Sequence, residues 1–447
     1  MDARRLPGGF PWGLTFRSGS MVAEVPVWFR TANHGCLHRC KSGVSSSNLP
    51  KQIDQRCQST LPLSAMSRRI LLVAGARPNF VKIAPLMEQL GRQDHADVQT
   101  LLVHTGQHYD DALSHVFFQQ LKIPQPDVNL EVGSGSHGRQ TGEIMARFEP
   151  VVTDWKPDIV VVVGDVNSTL ACALVASKLG VPVAHVEAGL RSFDRTMPEE
   201  INRVLTDAIS DVLFVSEPSG ITNLKKEGID ESKIHFVGNV MIDSLRRFVA
   251  VARQSAVLGD LGLLQESASG ARPRSFALVT MHRPSNVDSK ETLAALLEAL
   301  NEIGKSLPVV FPAHPRTLDR IREFDLTSRM RTVAHGANSG VVLLEPVGYL
   351  EFLHLLSEAS LVLTDSGGIQ EETTALGVPC LTMRDNTERP VTVREGTNQL
   401  VGSDPNRILS AARAILEGKS KAGKTPEYWD GHTAERIVSI LLRHVGS

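Results

Sequence analysis

Acidic residues gather where successive strand-like segments of the first half of the chain end. Asp165 lies in GDVNST, Glu187 in HVEAGLR, and Glu199 and Glu200 open the segment PEEINR. Carboxylates at the ends of strands are candidate general acids and bases. Helix caps and partners of a helix dipole are the alternative, which fits Glu199 well. Caps alone account poorly for three carboxylates at one cleft, so we predict an acid–base site.

A turn of small residues lies in the second half of the chain. In LVLTDSGGIQEE, Ser366, Gly367 and Gly368 stand between an apolar run and a helical pattern. Small residues let backbone N–H groups approach a diphosphate at a helix N-terminus, where the helix dipole favours an anion. Glu372, about one helical turn further on, could accept hydrogen bonds from ribose hydroxyls. The alternative is a plain Ser N-cap followed by a Gly turn.

Basic residues and histidines complete this set. Arg77 and Lys82 follow the first strand-like run and could neutralise phosphates, although solvation at the surface explains them about as well. His282 ends one strand-like run of the second half, and His314 ends another. A lone histidine is more often structural, but two at strand ends in one cleft favour a functional role.

Three other patterns do not indicate a cofactor. The GxGxxG at Gly133–Gly138 lies well downstream of the first strand, whereas a dinucleotide fingerprint follows that strand directly. The run His34–Cys40 and Cys57 have zinc-ligand types but lack the usual paired spacing, so we predict no metal. Cys172 and Cys380 stand in apolar runs, which is typical of buried thiols in a reducing compartment.

Strand and helix patterns alternate after Met66. Continuous apolar runs such as ILLVA, residues 70–74, are typical of strands buried on both faces of a parallel sheet. The alternation is interrupted from about Arg246 to Ser275, which we interpret as a domain junction, and then resumes. We therefore predict an α/β protein with two Rossmann-like, doubly wound domains facing a central cleft.

Composition divides the chain further. Residues 1–65 hold eight basic and three acidic residues and no sustained period, so we predict a disordered N-terminal extension. We expect a first domain over 66–243, a second over 244–431, and a C-terminal helix over 432–447 that packs back on the first. The net charge of -2 gives no footprint for nucleic acid. No apolar run reaches the ~18 residues that a membrane-spanning helix needs.

A series of motifs carries a resemblance to a known family. In chain order they are GARPNFVKIAP, HTGQHYD, GDVNST, HVEAGLRSFDR, PEEINR, TDSGGIQEE and MRDNTERP. Together they resemble the non-hydrolysing UDP-N-acetylglucosamine 2-epimerases, from about Ser67 to the C-terminus. The resemblance implies a glycosyltransferase B-like arrangement of the two domains and a cytoplasmic homodimer. It also implies conversion of UDP-N-acetylglucosamine to UDP-N-acetylmannosamine without any cofactor, and neither nucleic acid nor membrane as a partner.

The resemblance also assigns roles to residues. The catalytic set it implies is Asp165, Glu187, Glu199 and His282. The substrate and UDP positions are Arg77, Lys82, Phe352, Ser366, Gly367, Gly368, Glu372 and Arg389, with Phe352 beside the uracil. Gln107 and His314 match a second nucleotide site. HRPSNVD stands where the family commonly has HRxENxG, so the identity of the sugar and activation through a second site stay open.

Other functions remain open at this point. A hydrolysing relative would release free N-acetylmannosamine and UDP, and another family member could use a modified UDP-hexosamine. A UDP-sugar glycosyltransferase with the same fold would transfer the sugar to an acceptor. A silent UDP-sugar sensor would bind without exchanging the hydrogen at C2. The carboxylates Asp165, Glu187 and Glu199 favour epimerisation over transfer.

Overall fold

The computed structural model describes residues 67–106, 125–266 and 270–446, with the backbone alone for Arg77. The predicted extension 1–65, its His and Cys run, and Gln107 lie outside the described residues. The described residues all belong to one compact unit, and two parallel sheets form within them. None of the helices described is both long and apolar enough to cross a membrane.

Within these residues, seven parallel strands form the first sheet, in the order β3-β2-β1-β4-β5-β6-β7. Helices cover both faces of β4, and all of its residues are buried apolar side chains, as the prediction of a doubly wound sheet requires. The strand order reverses between β1 and β4, and ligands bind at such points in open α/β sheets. The strands are β1 (Arg68–Ala74), β2 (Val98–His104), β3 (Val128–Asn129), β4 (Ile159–Val163), β5 (Val183–Ala188), β6 (Val212–Val215) and β7 (Ile234–Phe236).

Helices connect these strands and complete the first lobe. Proline stands at or next to the first position of α1, α4 and α5, where its missing N–H costs no hydrogen bond and its fixed φ suits a helix. The helices are α1 (Arg77–Leu90), α2 (His137–Trp155), α3 (Asn167–Lys178), α4 (Pro198–Ile209) and α5 (Pro218–Lys226), with short 3-10 turns at Gln93–His95 and Glu231–Lys233.

Regular structure occupies the predicted junction after Arg246. Helix α6 (Val240–Ala252) runs through this residue, and α7 (Val257–Asp260) and the antiparallel pair β8 (Leu264–Gln265) and β9 (Arg272–Pro273) follow it. The interruption expected from about Arg246 therefore begins later, after Ala252, because α6 buries an apolar face against α1 and extends the helical period. A domain boundary at residue 243 would divide α6, and it stays a prediction.

The second lobe repeats the architecture of the first. Its six parallel strands in the described part of the chain have the order β12-β11-β10-β13-β14-β15. The two doubly wound sheets confirm the predicted fold class. The strands are β10 (Ala277–Thr280), β11 (Pro308–Pro312), β12 (Gly340–Leu344), β13 (Leu361–Thr364), β14 (Cys380–Thr382) and β15 (Asn398–Leu400). The helices are α8 (Pro284–Val287), α9 (Lys290–Ile303), α10 (Pro315–Glu323), α11 (Tyr349–Glu358), α12 (Gly367–Leu376), α13 (Pro390–Arg394) and α14 (Pro405–Leu416), with a 3-10 turn at Thr327–Arg329.

The last helix, α15 (Thr433–His444), packs on α1 and α6. The carboxylate of Asp243 accepts hydrogen bonds from the backbone N–H groups of Thr433 and Ala434 at 3.2 and 2.7 Å, which satisfies the start of the helix. Arg68 donates to the carbonyl of Leu442 near its end, at 3.2 Å. One apolar cluster consequently continues from β1 through α6 and α15 to the face of the second sheet.

Candidate active site

Asp165 and Glu187 lie at the same edge of the first sheet. Asp165 follows the end of β4, and Glu187 is the penultimate residue of the neighbouring parallel strand β5. Gly164 stands between them with a φ of +71°, and a Cβ atom there would lie 3.5 Å from both Glu187 Oε2 and Lys82 Nζ. The close approach and the positive φ both favour glycine at this position. Two of the predicted catalytic carboxylates and the predicted cation Lys82 therefore come together.

Glu187 has an unusual backbone for its residue type. Its φ is +74°, in the left-handed region, and the register between β5 and β6 shifts between Val186 and Ala188. Such a conformation costs about 1–2 kcal/mol in a residue with a Cβ atom, and strain of this kind concentrates at functional sites. Lys82 donates to Oε2, and both side chains are buried. The other oxygen, Oε1, is buried and accepts no hydrogen bond within the described residues.

Arg203 of α4 holds the carboxylate of Asp165. Its Nε and Nη2 atoms lie 3.0 and 2.9 Å from Asp165 Oδ2. The side chain of Asp165 is 29% exposed, so the rest of the carboxylate faces the cleft. Desolvation works to raise the pKa of Asp165, but the cations Arg203, Lys82 and Arg389 outweigh it and hold the pKa below its ordinary value. The carboxylate of Asp165 is therefore ionised at neutral pH.

Arg389 sits among three carboxylates from both lobes, a group that we call the Arg389 cluster. Its Nη1 is 2.6 Å from Glu388 Oε1, its Nε is 2.8 Å from Glu371 Oε1, and its Nη2 is 3.8 Å from Glu187 Oε1. Desolvation opposes the charge of Arg389, yet Glu371, Glu388 and Glu187 raise its pKa well above the ordinary value. The predicted UDP-binding arginine is thus a buried charge that joins the lobes.

The adjacent acids of PEEINR have different partners. Glu200 is 3% exposed, and its carboxylate accepts hydrogen bonds from the backbone N–H groups of Ser192 and Phe193 at 2.8 and 2.9 Å. Glu199 lies in the first turn of α4, where its charge suits the helix dipole. Its Oε1 is also 3.6 Å from Nη1 of Arg283 in the second lobe. Glu199 therefore forms an ion pair across the cleft, whereas Glu200 binds the backbone of the loop before α4.

The predicted diphosphate turn lies beside the Arg389 cluster. Ser366 is the N-cap residue of α12, and its side chain makes no capping hydrogen bond. A Cβ atom at Gly367 would lie 2.5 Å from Arg389 Nη1 and 2.6 Å from Glu388 Oε1, so a side chain there would require these charged groups to shift. At Gly368 the nearest atom would be Met241 Cε at 3.4 Å. Gly367 thereby lets the N-terminus of α12 approach Arg389 and Glu388.

Two glutamates of α12 have pKa values well above the ordinary value for a glutamate. Desolvation, reinforced by the neighbouring Glu371 charge, raises the pKa of Glu372 to about 8. Desolvation also raises the pKa of Glu371 to about 7, although Arg389 opposes that shift. Burial and the charge of Glu372 raise the pKa of Tyr349 on α11. Phe352, the predicted uracil contact, lies on the same helix and is half-buried against the apolar cluster.

His282 is held by a buried carboxylate at the end of β13. Its Nδ1 atom is 3.1 Å from Asp365 Oδ1. The backbone N–H groups of His282 and Arg283 also donate to Asp365 Oδ2, at 2.9 and 2.8 Å. The ring of His314 lies 5.6 Å from that of His282, between centroids. The two predicted histidines are consequently neighbours at the carboxyl edge of the second sheet.

Some predicted features lie elsewhere. The backbone of Arg77 begins α1 directly after β1, whereas Gln107 falls outside the described residues. Gly133–Gly138 follows the edge strand β3 and runs into the first two residues of α2, away from the turn after the first strand. Cys172 and Cys380 are fully buried, and desolvation raises the pKa of both thiols, which confirms them as core residues. No group of three potential metal ligands occurs among the residues described.

Sequence reasoning missed four charged residues of the site. Arg203 stands four positions after Glu199, a spacing that places both on one side of a helix, so PEEINR held a usable signal. Asp365, Glu371 and Glu388 stand inside or next to recognised motifs. Nothing in the spacing distinguishes them from the neighbouring acids, because their roles depend on contacts between distant segments.

Comparison with known proteins adds a family to this geometry. The family model described as UDP-N-acetylglucosamine 2-epimerase matches residues 91–442. The UDP-N-acetylglucosamine 2-epimerase of Methanocaldococcus jannaschii is 43% identical over 384 residues, which cover 83% of this chain and 98% of that protein. The UDP-2,3-diacetamido-2,3-dideoxy-D-glucuronate 2-epimerase of Pseudomonas aeruginosa is also 43% identical, over 84% of this chain and 99% of its own length.

A solved structure matches the three-dimensional arrangement. It is the crystal structure of Methanocaldococcus jannaschii UDP-GlcNAc 2-epimerase in complex with UDP-GlcNAc and UDP. The TM-score is 0.75 at 43% identity, and the match covers 84% of this chain and 99% of that one. The match spans both lobes, so the likeness includes the cleft as well as the two sheets.

Proposed function

We propose that this chain, which belongs to the UDP-N-acetylglucosamine 2-epimerase family, interconverts UDP-N-acetylglucosamine and UDP-N-acetylmannosamine. The observation that carries the proposal is the position of Asp165 and Glu187. They lie at one sheet edge with Lys82, and Arg389 connects that edge to α12, because its Nη2 is 3.8 Å from Glu187 Oε1 and its Nη1 lies against Gly367, the start of α12. This position supports a base for the sugar on one side of the cleft and an anion site for the diphosphate on the facing side. The product serves polysaccharide precursor synthesis.

The chemistry follows from the substrate. The hydrogen at C2 has very low acidity, so its removal must accompany loss of a leaving group. In an α-linked gluco sugar the C1–O and C2–H bonds are both axial and anti, and a base can take the proton as UDP departs. The intermediate is 2-acetamidoglucal. Protonation of C2 on the opposite face and return of UDP to C1 give the manno product. No electrons are transferred overall, so the proposal requires no redox cofactor.

The carboxylates divide this work between the two faces of the sugar. Asp165 is ionised and partly exposed, which suits the base that removes a proton. Oε1 of Glu187 has no hydrogen-bond partner among the described residues and could exchange a proton with the sugar. Glu199, in the first turn of α4, faces Arg283 across the cleft. An epimerisation needs acid–base groups at both faces of C2, so a single carboxylate would not suffice. His282 completes the catalytic set from the second lobe.

The second lobe receives UDP. Backbone N–H groups at Gly367 and Gly368, directly after the N-cap residue Ser366, and the dipole of α12 stabilise the negative charge of the departing diphosphate. Lys82 and Arg77 add positive charge from the first lobe. Because the pKa of Glu372 is about 8, its carboxyl is protonated at neutral pH and can donate as well as accept hydrogen bonds with ribose hydroxyls. Phe352 flanks the uracil.

The decisive test is NMR of the purified protein with UDP-N-acetylglucosamine in deuterated water. Elimination exchanges the C2 proton with solvent, so we expect deuterium at C2 and a mixture of the two UDP sugars. Free N-acetylmannosamine with an equal amount of UDP would establish the hydrolysing reaction instead. The assay contains no acceptor, so a glycosyltransferase would leave the substrate unchanged, and a sensor would bind it without exchange.

A second substrate has a specific observation in its favour. The Pseudomonas aeruginosa relative, whose name specifies a diacetamido glucuronate, is as similar to this chain as the Methanocaldococcus jannaschii enzyme. We therefore include UDP-2,3-diacetamido-2,3-dideoxy-D-glucuronate in the same exchange assay. A kcat/KM higher for the glucuronate than for UDP-N-acetylglucosamine would assign the chain to the modified sugar with the same chemistry.

We further propose a cytoplasmic homodimer. Phe193, Ile201 and Leu205 are 77, 41 and 47% exposed, and Phe193 and Ile201 line a hollow of about 510 Å³ beside α4. An exposed apolar patch of this kind supports a protein interface. The buried free thiols of Cys172 and Cys380 are compatible with a reducing compartment.

The dimer has its own test. Leu205→Asp should convert the protein to monomers in analytical ultracentrifugation, because a charge in an apolar interface is costly. Val251→Asp is the matched control, since Val251 is also 47% exposed but lies on α6. A parent protein that sediments as a monomer, or equal behaviour of both variants, would refute this interface.

A further inference from the structure

Asp365 has an unusually complete set of hydrogen-bond donors for one carboxylate. It is fully buried at the end of β13. Its Oδ2 atom accepts hydrogen bonds from the backbone N–H groups of His282 and Arg283 at 2.9 and 2.8 Å, and from Asn286 Nδ2 at 3.1 Å. Its Oδ1 is 3.1 Å from His282 Nδ1. Burial alone would raise the pKa of Asp365, but His282 and these N–H groups lower it, so the carboxylate is ionised.

This arrangement ties together the two strand ends that form the second-lobe side of the cleft. β10 and β13 are adjacent, with Thr280 paired to Thr364, and Asp365 is the residue that follows. On one side Asp365 binds the segment that begins with His282, and on the other it precedes the turn at Ser366. A change in Asp365 would therefore alter the position of the histidine relative to the diphosphate site.

The contact also restricts the chemistry of the imidazole. A ring nitrogen that faces a carboxylate carries the proton, and the other nitrogen then becomes the one available to a ligand. The side chain of His282 is 38% exposed, so part of the ring is accessible from the cleft while Nδ1 is engaged. Nε2 is consequently the nitrogen left for a ligand.

We propose that Asp365 is a positioning residue that fixes the orientation of the His282 ring and its Nδ1-protonated tautomer, so that Nε2 is presented to the nucleotide sugar. The proposal deepens the proposed function, on which it rests for the identity of the ligand. Asp365 itself does not touch substrate, and no proton leaves it during the reaction. Its contribution is to prevent the ring from rotating or changing tautomer between turnovers.

The first test needs no change in Asp365. Nitrogen-15 NMR of the histidine rings, with the His282 signals assigned by their loss in His282→Ala, distinguishes a protonated nitrogen from a bare one. We expect Nδ1 to carry the proton when the ring is neutral. A bare Nδ1 with the proton on Nε2 would overturn the proposal, whatever the behaviour of the variants.

The second test is a double-mutant cycle of Asp365→Asn and His282→Ala, measured by C2 exchange and by calorimetry with UDP. In the parent background we expect Asp365→Asn to slow exchange by about 10- to 100-fold, the range found when outer carboxylates that orient histidines are removed. In the His282→Ala background Asp365→Asn should cause little further loss of either exchange or UDP affinity. Equal losses in both backgrounds would show that Asp365 acts only through the fold.

A matched control separates positioning from packing. Asn286→Ala removes another partner of Asp365 and the hydrogen bond to the Met383 carbonyl, but leaves the contact with His282 Nδ1. Its effect should therefore be the same in both backgrounds. If Asp365→Asn fails to fold, the tautomer measurement still decides. If the parent shows no C2 exchange, the proposed epimerisation fails, while UDP calorimetry and the tautomer still test the role of Asp365.

Discussion

Asp165 on the first lobe and the two glutamates of α12 on the second have pKa values that are shifted in opposite directions. On the first lobe, Arg203 and Lys82 overcome desolvation and lower the pKa of Asp165. On the second lobe, desolvation dominates on α12 and raises the pKa of Glu371 to about 7 and of Glu372 to about 8. Asp165 is therefore charged at neutral pH, whereas Glu372 is largely protonated and Glu371 is about half protonated.

This difference matches what each side has to bind. A base must be ionised before it can accept the C2 proton. A diphosphate at the start of α12 would be repelled by ionised glutamates on the same helix, and protonation removes that repulsion. The distribution of cations produces the contrast. Arg203 pairs closely with Asp165, whereas Arg389 is shared between Glu371, Glu388 and Glu187.

The largest effect should come from removing the charge on the first-lobe side. Asp165→Asn keeps the shape of the side chain but cannot act as a base, so turnover should fall on the order of 10²-fold or more. UDP affinity should stay near that of the parent. C2 exchange and UDP calorimetry measure the two quantities. Weak UDP binding with normal exchange at saturation would make Asp165 a nucleotide-binding group.

The close approach of α12 to the Arg389 cluster can be broken by one methyl group. Gly367→Ala places a Cβ atom 2.5 Å from Arg389 Nη1, and we expect it to lower the free energy of unfolding by about 1–3 kcal/mol. Gly368→Ala is the control, because its nearest atom would be Met241 Cε at 3.4 Å. Urea unfolding without ligand compares the two. Equal losses would mean that the Arg389 cluster does not determine the requirement for glycine.

The anion site on the second-lobe side can be obstructed separately. Ser366→Trp puts a large side chain at the N-cap of α12, so the UDP dissociation constant should rise by at least about tenfold, or ~1.4 kcal/mol. Calorimetry with UDP measures this change. Binding unchanged from the parent would place the diphosphate away from this turn.

The raised pKa of Glu372 on the second-lobe side predicts a pH-dependent effect on stability. The ordinary pKa of Glu372 is 4.5, and its pKa in the folded chain is about 8. Between these values the unfolded chain loses a proton that the folded chain retains, so stability falls as pH rises, by at most about 1.4 kcal/mol per pH unit. Glu372→Gln abolishes this loss, and its advantage over the parent should grow across that window.

Urea unfolding from about pH 5 to about pH 8 tests this last expectation. Glu298→Gln, at an exposed position of α9, is the control for the loss of one titrating carboxyl. An advantage of Glu372→Gln that stays constant with pH, or that declines as pH rises, would contradict the raised pKa. A raised carboxyl pKa, as at Glu372, makes stability fall as pH rises, whereas a lowered pKa, as at Asp165, has the opposite effect.

Patterns that depend on local chain chemistry were predictable. The run at Ile159–Val163 is apolar throughout because both faces of β4 are covered, and this pattern allowed the doubly wound fold to be predicted from the sequence. The motifs at GDVNST and TDSGG identified the strand ends at the cleft, and the resemblance they carried is confirmed by the family match. Strand ends and turns are local, so their residues could be identified without knowing the tertiary structure.

Features that depend on distant contacts were not predictable. The orientation of α4 about its own axis determines which acid binds which partner. Glu200 accepts hydrogen bonds from the backbone N–H groups of Ser192 and Phe193, and Glu199 lies near Arg283. The positive φ of Glu187 arises from the irregular pairing of β5 with β6, which leaves no trace in residue types. The Arg389 cluster likewise requires knowing that both lobes meet at this arginine.

Helix α4 connects the Asp165 site to an exposed apolar surface, so activity can depend on protein concentration. Arg203, on its buried side, holds Asp165, while Ile201 and Leu205 are exposed on the same helix. A copy of the chain that docks on the exposed residues would restrict the helix that orients the base. Specific activity should then decline on dilution below the dimer dissociation constant. Kinetics over a dilution series would thus report assembly.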